Sequence, residues 1–105
     1  MAAKPGDRVG AIMSADEKKV HLFGYGVYKG REVPPPGITL LGMDLHEAGL
    51  PNPRIDLDNG QVVWGCMCWW GPEEVVREVI GDREIVMVDV PALAQPAREE
   101  GEGDV

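Results

Sequence analysis

Residues 54–66 read RIDLDNGQVVWGC, and how this stretch pairs with itself decides the fold. Asn59-Gly60 lies between two runs of alternating apolar and polar residues, and Asn-Gly is the dipeptide best suited to the left-handed conformations of a two-residue hairpin turn. With those two residues as the turn, Asp58 faces Gln61, Leu57 faces Val62, Asp56 faces Val63 and Ile55 faces Trp64. Side chains alternate across a strand, so one face carries Ile55, Leu57, Val62 and Trp64 and continues to Cys66, Cys68 and Trp70. The other carries Asp56, Asp58, Val63, Gly65, Met67 and Trp69.

Beyond the hairpin, GPEEVVREVIG (71–81) supplies Pro72 at a first helical position, Glu73 and Glu74 in the positive first turn, and Gly81 as a left-handed stop. It predicts a helix of about ten residues. REIVMVDV (83–90) returns to strand, with Ile85 and Met87 on one side and Val86, Val88 and Val90 on the other. After Pro91 the chain turns to Ala, Gln, Pro, Arg, Glu and Gly, a composition that predicts disorder.

On the N-terminal side, a strand is expected over residues 8–13 after the turn Pro5-Gly6-Asp7. VHLFGYGVY (20–28) makes a second, in which Gly24 and Gly26 mark a bulge, a bend or a close backbone approach. Residues 34–53, with five prolines and Gly37, Gly42 and Gly49, form a long irregular connection with a short helical turn near Asp44 to Ala48. Connections of this length are often binding loops, which makes the segment a candidate functional insertion.

The fold expected is mainly β with one short helix: a small bent sheet or a partly open, SH3-like β-barrel. Residues 1–91 form one domain and residues 92–105 an acidic, disordered tail. A chain of 105 residues with 44% hydrophobic and 27% charged content suits one soluble core. No apolar run is long enough to span a bilayer and the start lacks a secretory pattern, so a cytoplasmic protein that binds no membrane is expected. The formal charge of −8 argues against nucleic acid as a partner.

Both cysteines and all three tryptophans fall within residues 64–70. Zinc held by Cys66 and Cys68 with His21 or His46 is one reading, but structural zinc cysteines usually stand two to four residues apart across a tight turn. Two small side chains in the core is the plainer one. A disulfide between residues two apart on a strand would be strained. A thiol nucleophile would need a neighbouring imidazole or helix N-terminus. The tandem tryptophans must face opposite ways; the hairpin register places Trp70 in the core and Trp69 outside near Met67 and Val63, as a partner surface or beneath the helix or loop.

Other motifs are weaker. GYGVYKG (24–30) has the wrong spacing for a phosphate loop and opens no helix. DLDNG (56–60) misplaces the glycine of a calcium loop and lacks its final glutamate. DLHE (44–47) sets His46 between carboxylates, which would serve a hydrolase only if a further group approached it; a solvated helical turn with Leu45 packed inward is the simpler account.

Residues 62–74, with GYGVY and PNPRIDLDNG, resemble a family of small uncharacterised proteins of bacteriophage genomes and some bacteria that share a WGCxCWWG segment. The resemblance covers much of residues 5–80. It implies a cytosolic protein of about this size and brings no catalytic residue or cofactor; a phage origin would favour a binder of a host factor or small signalling molecule over a metabolic enzyme.

These readings lead to a noncatalytic binding or interaction module for a protein or small-molecule ligand, without a cofactor. Trp69, Tyr25, Tyr28 and Met67 are its candidate aromatic and apolar contacts and His46 and Arg54 its polar ones. The alternative is a thiol or zinc protein built on Cys66 and Cys68. An exposed hairpin edge also makes a homodimer a reasonable expectation.

Overall fold

A computed structural model describes residues 3–96. In chain order the elements are β1 (Arg8–Ala15), β2 (Lys19–Glu32), β3 (Thr39–Leu40), β4 (Met43–Asp44), α1 (Leu45–Ala48), β5 (Asn52–Leu57), β6 (Val62–Trp64), β7 (Trp69–Pro72), α2 (Glu73–Ile80) and β8 (Glu84–Met87). Two 3₁₀ turns, Gly65–Met67 and Ala92–Ala94, complete the order. The main sheet runs β6-β5-β2-β1-β7 with antiparallel neighbours, and β8 pairs in parallel with the start of β2. No helix among the described residues is long and apolar enough to cross a membrane.

The sheet is bent and does not close into a barrel, so of the two architectures expected the bent sheet is the one formed. Register shifts within β1–β2 and between Tyr28 and Gly30 of β2–β5 supply the bends. Gly26 lets β5 come close: a Cβ there would stand 2.1 Å from the Asp56 carbonyl oxygen. Closure fails because the outer edge of β6 is already occupied. The Gln95 side-chain amide accepts from Val62 N at 2.8 Å and donates to Val62 O at 3.0 Å, standing in for one residue of a further strand.

The hairpin forms one residue out of the expected register. Arg54 faces Trp64, Ile55 faces Val63 and Asp56 faces Val62. Leu57 N donates to Gln61 O at 2.8 Å and Gly60 N to Leu57 O at 3.0 Å, closing a three-residue loop of Asp58, Asn59 and Gly60 with Gly60 at φ +92°. Asp58 thus belongs to the turn, where both its oxygens take hydrogen bonds from the Arg8 guanidinium at 2.7 and 2.8 Å.

A slip of one residue exchanges faces. Ile55 shares a side with Val63, while Val62 and Trp64 lie on the side of Asp56 and Arg54. Val62, Val63 and Trp64 are nevertheless all buried, because residues 92–96 cover the second side. Ala94 is buried and its carbonyl accepts from Trp64 Nε1 at 2.7 Å. Residues 92–96, read from composition as the start of a disordered tail, therefore pack on the sheet; residues 97–105 lie outside the described residues.

α2 is shorter than expected at eight residues, with Pro72 as its N-cap and Gly81 N donating to Arg77 O at 3.1 Å. Its apolar residues Val76 and Ile80 pack with Ile12, Val20 and Leu22 on one face of the sheet. The opposite face carries the larger core, which includes Val9, Ala11, Phe23, Tyr28, Ile55 and Leu57. β8 half-buries Val86 and exposes Ile85 and Met87, and the residues after it half-bury Val88 and bury Val90, the alternation read from the sequence of 83–90. In the long connection α1 occupies the expected helical turn, preceded by the small hairpin of β3 and β4.

Candidate functional site

The cysteines do not lie on a strand. Alternation stops at Trp64, where Gly65–Met67 coils into a 3₁₀ turn. A Cβ at residue 65 would lie 2.9 Å from both Pro53 and Trp70, so glycine is the residue that lets this turn pack. Asn52, buried beneath it, accepts from Cys66 N at 2.9 Å. The Cys68 thiol donates to Trp64 O at 3.6 Å. Burial pushes both thiols up, Cys68 to about 12, so neither is a ready thiolate at neutral pH. Among the described residues no three His, Cys, Asp or Glu side chains gather at metal-binding distance.

The two adjacent tryptophans diverge. Trp70, opposite Ala11, turns to the larger core and stacks on Tyr28 at 5.1 Å between ring centroids. Trp69, opposite Ile12, turns to the α2 face and is 49% exposed. The orientations match expectation, but pairing of β7 with β1, not a continuous run from the hairpin, produces them. Met67 packs against the larger core, so it does not share a surface with Trp69.

The remaining candidates are dispersed. Tyr28 is buried in the stack just described. Asp44 caps α1, accepting from His46 N, Glu47 N and Gly37 N, which holds its carboxyl below the usual range, with the Gly37 bond the largest cause. His46 Nδ1 donates to Pro34 O at 3.0 Å, and Leu45 is buried. DLHE therefore pins the long connection. Arg54 bonds Asp56, two residues along the same strand, at 2.7 Å and Glu32 of the neighbouring β2 at 3.0 Å. Tyr25 lies beneath the Arg77 guanidinium, 4.2 Å from its ring centroid.

Of the six, Tyr25 borders a concave apolar surface. β1 holds one edge of β2, so β5 and β8 share the other, and between them lies a groove of about 310 Å³. Leu22, Phe23, Gly24 and Tyr25 form one wall, Leu57 with Asp58 and Asn59 the second, and Ile85 and Met87 the third. A Cβ at Gly24 would touch Leu57 Cδ2 at 3.8 Å and Met87 Cε at 4.0 Å, so this residue, at φ +141°, keeps the floor open. The volume lies at the lower end of the range for small-ligand sites.

Asp58 is the charged residue in the groove's lining, and it is tied into an ion-pair chain. Arg8 bridges Asp58 and Glu73, while Arg77 also holds Glu73 at 2.6 Å. Asp58 is lowered by Arg8, and Glu73 by Arg77 and then Arg8. Each of these charges is thus already matched. Leu57, Ile85 and Met87 were read from the sequence as strand residues and not as a site. The glycine inside β2 and the apolar stripe on β8 were the available signals, but neither tells that β5 and β8 meet the same edge. Comparisons with protein-family profiles, curated proteins and solved structures find no match.

Proposed function

We propose that this chain is a noncatalytic binding module whose groove above Gly24 receives an apolar group of a protein or small-molecule partner. The observation that carries the reading is the groove itself: apolar walls from three strands, an open floor, and polar groups limited to Asp58 and Asn59 at one end. Tyr25 and Met87 are the contacts assigned to the ligand. Unpaired Cys66 and Cys68 accord with a reducing, cytoplasmic setting, and a phage origin, of the kind the WGCxCWWG resemblance suggests, would favour a binder over a metabolic enzyme.

The thiol or zinc alternative has less support. Both thiols are held protonated by burial, and a third ligand would have to come from outside the described residues.

The test is an NMR titration of isotopically labelled protein with indole and with an N-acetylated leucine amide. Saturable shifts centred on Gly24, Tyr25, Leu57 and Met87 are expected. Shifts centred instead on Trp69, or none that saturate at millimolar probe, contradict the assignment.

A further inference from the structure

We infer that β8 is the pairing edge of a two-fold homodimer, in which Ile85 and Met87 of one chain meet Met87 and Ile85 of a second copy. The backbone supplies the first argument. Glu84 N donates to Lys18 O at 2.9 Å and Val88 N to Leu22 O at 3.0 Å. In a strand the direction of the amides alternates, so residues 84, 86 and 88 address β2 while Ile85 and Met87 turn their N–H and C=O groups away. Among the described residues those outward groups have no hydrogen-bond partner. Such a row is a template for another strand.

The contrast with β6, the outer strand beyond β5 on the same side of β2, is the second argument. There Gln95 fills the hydrogen bonds of Val62. β8 has no such block, and neither proline nor lysine falls within Glu84–Met87. Its exposed side chains are apolar as well: Ile85 is 47% and Met87 61% exposed.

The third argument is self-complementarity. With the two-fold axis at Val86, each outward residue meets an outward residue, Ile85 against Met87, giving four backbone hydrogen bonds and apolar cross-strand pairs. The same register sets Glu84 opposite Val88 and Arg83 opposite Asp89, so no like charges face each other. Arg83 donates to the carbonyls of Val79, Ile80 and Asp16 and has no carboxylate partner among the described residues. Asp89 of the second copy supplies the missing charge. Centring on Ile85 or Met87 instead abolishes both the Ile85–Met87 and the Arg83–Asp89 matches. The two grooves then open on the same side of one continuous sheet.

The inference does not depend on what the grooves bind, and its test reads mass and not ligand. Sedimentation equilibrium of the full chain should give twice the 11.4 kDa monomer, with association strengthened by salt because each copy carries a charge of −8. Ile85→Pro removes an outward N–H and no hydrogen bond to β2, and should weaken association by at least an order of magnitude. Met87→Lys, at an exposed position, should do the same, which keeps the test valid if the proline variant fails to fold. Val86→Cys, next to its own copy across the axis, should form a covalent dimer on mild oxidation under conditions in which wild type does not. A wild-type chain that stays monomeric overturns the inference. So does a dimer that survives Met87→Lys or fails to cross-link through Val86→Cys.

Discussion

Tyr28 and Trp70 stack with ring centroids 5.1 Å apart and planes inclined by 25°, joining β2 to β7 over the intervening β1. The neighbouring Trp69 turns to the other side and stays half exposed. One strand thus uses two identical side chains for different ends. Trp70 closes the larger core, and Trp69 adds an accessible indole to the α2 face.

Trp70→Ala should therefore cost about 2–3 kcal/mol, because it removes both buried area and the aromatic stack. Trp69→Ala should cost well under half of that. Urea unfolding of the two variants checks the difference, and equal losses would show that the stack is not a principal contact.

The amide of Gln95 is the closing clasp of β6. Gln95→Ala leaves Val62 N and O without these partners and should lower stability by about 1–2 kcal/mol. Ending the chain after Pro91 should cost more, since it also uncovers Trp64 and removes the acceptor of its indole N–H. Denaturant midpoints, with tryptophan emission shifting to the red in the truncated chain, report both effects.

At the tip between β3 and β4, Leu41 is 96% exposed and holds a φ of +54°, followed by Gly42 at +81°. Positive φ at both central residues is the hairpin pattern that favours Asn-Gly, and leucine bears a steric penalty there. Leu41→Asn should stabilise the protein by about 1 kcal/mol. A loss of stability instead would mean that Leu41 makes a packing contact in solution.

The thiols set a limit on alkaline stability. Burial raises Cys68 to about 12 and raises Cys66 as well, above the ordinary 9.0. The unfolded chain loses these protons first, so folding is favoured fully below pH 9 and the contribution is lost as pH rises toward 12. Acid has the reverse sign for Asp44 and Asp58, whose carboxyls are held low by Gly37 N–H and by Arg8 respectively: their contribution is lost as pH falls through the folded-state values. Alkylation by iodoacetamide near neutral pH should be slow, with the less buried Cys66 reacting before Cys68; fast reaction of Cys68 would contradict its burial.

Local signals carried much of this architecture. Gly81 and the acidic first turn marked α2, the apolar stripe marked β8, and alternation sent Trp69 and Trp70 to opposite sides. Asn59-Gly60 located the hairpin but not its register. Asn-Gly also suits a three-residue loop with glycine at its last position, and the bond from Arg8, fifty residues away in sequence, engages Asp58 in that loop. Residues 92–96 look like a tail by composition because one buried alanine and one amide fix them, and neither produces an apolar run. The groove was less legible still. It arises where two strands distant in sequence share one edge of β2, so its walls contain no contiguous motif.

The measurement that bears most directly on the binding account is the affinity of indole for wild type, Met87→Ala and Trp69→Ala. Met87→Ala removes a groove wall while leaving the backbone edge of β8 intact. It should weaken binding about tenfold, which corresponds to about 1.4 kcal/mol, with Trp69→Ala close to wild type. Unchanged affinity in Met87→Ala together with loss in Trp69→Ala would contradict the account and move the site to the exposed tryptophan.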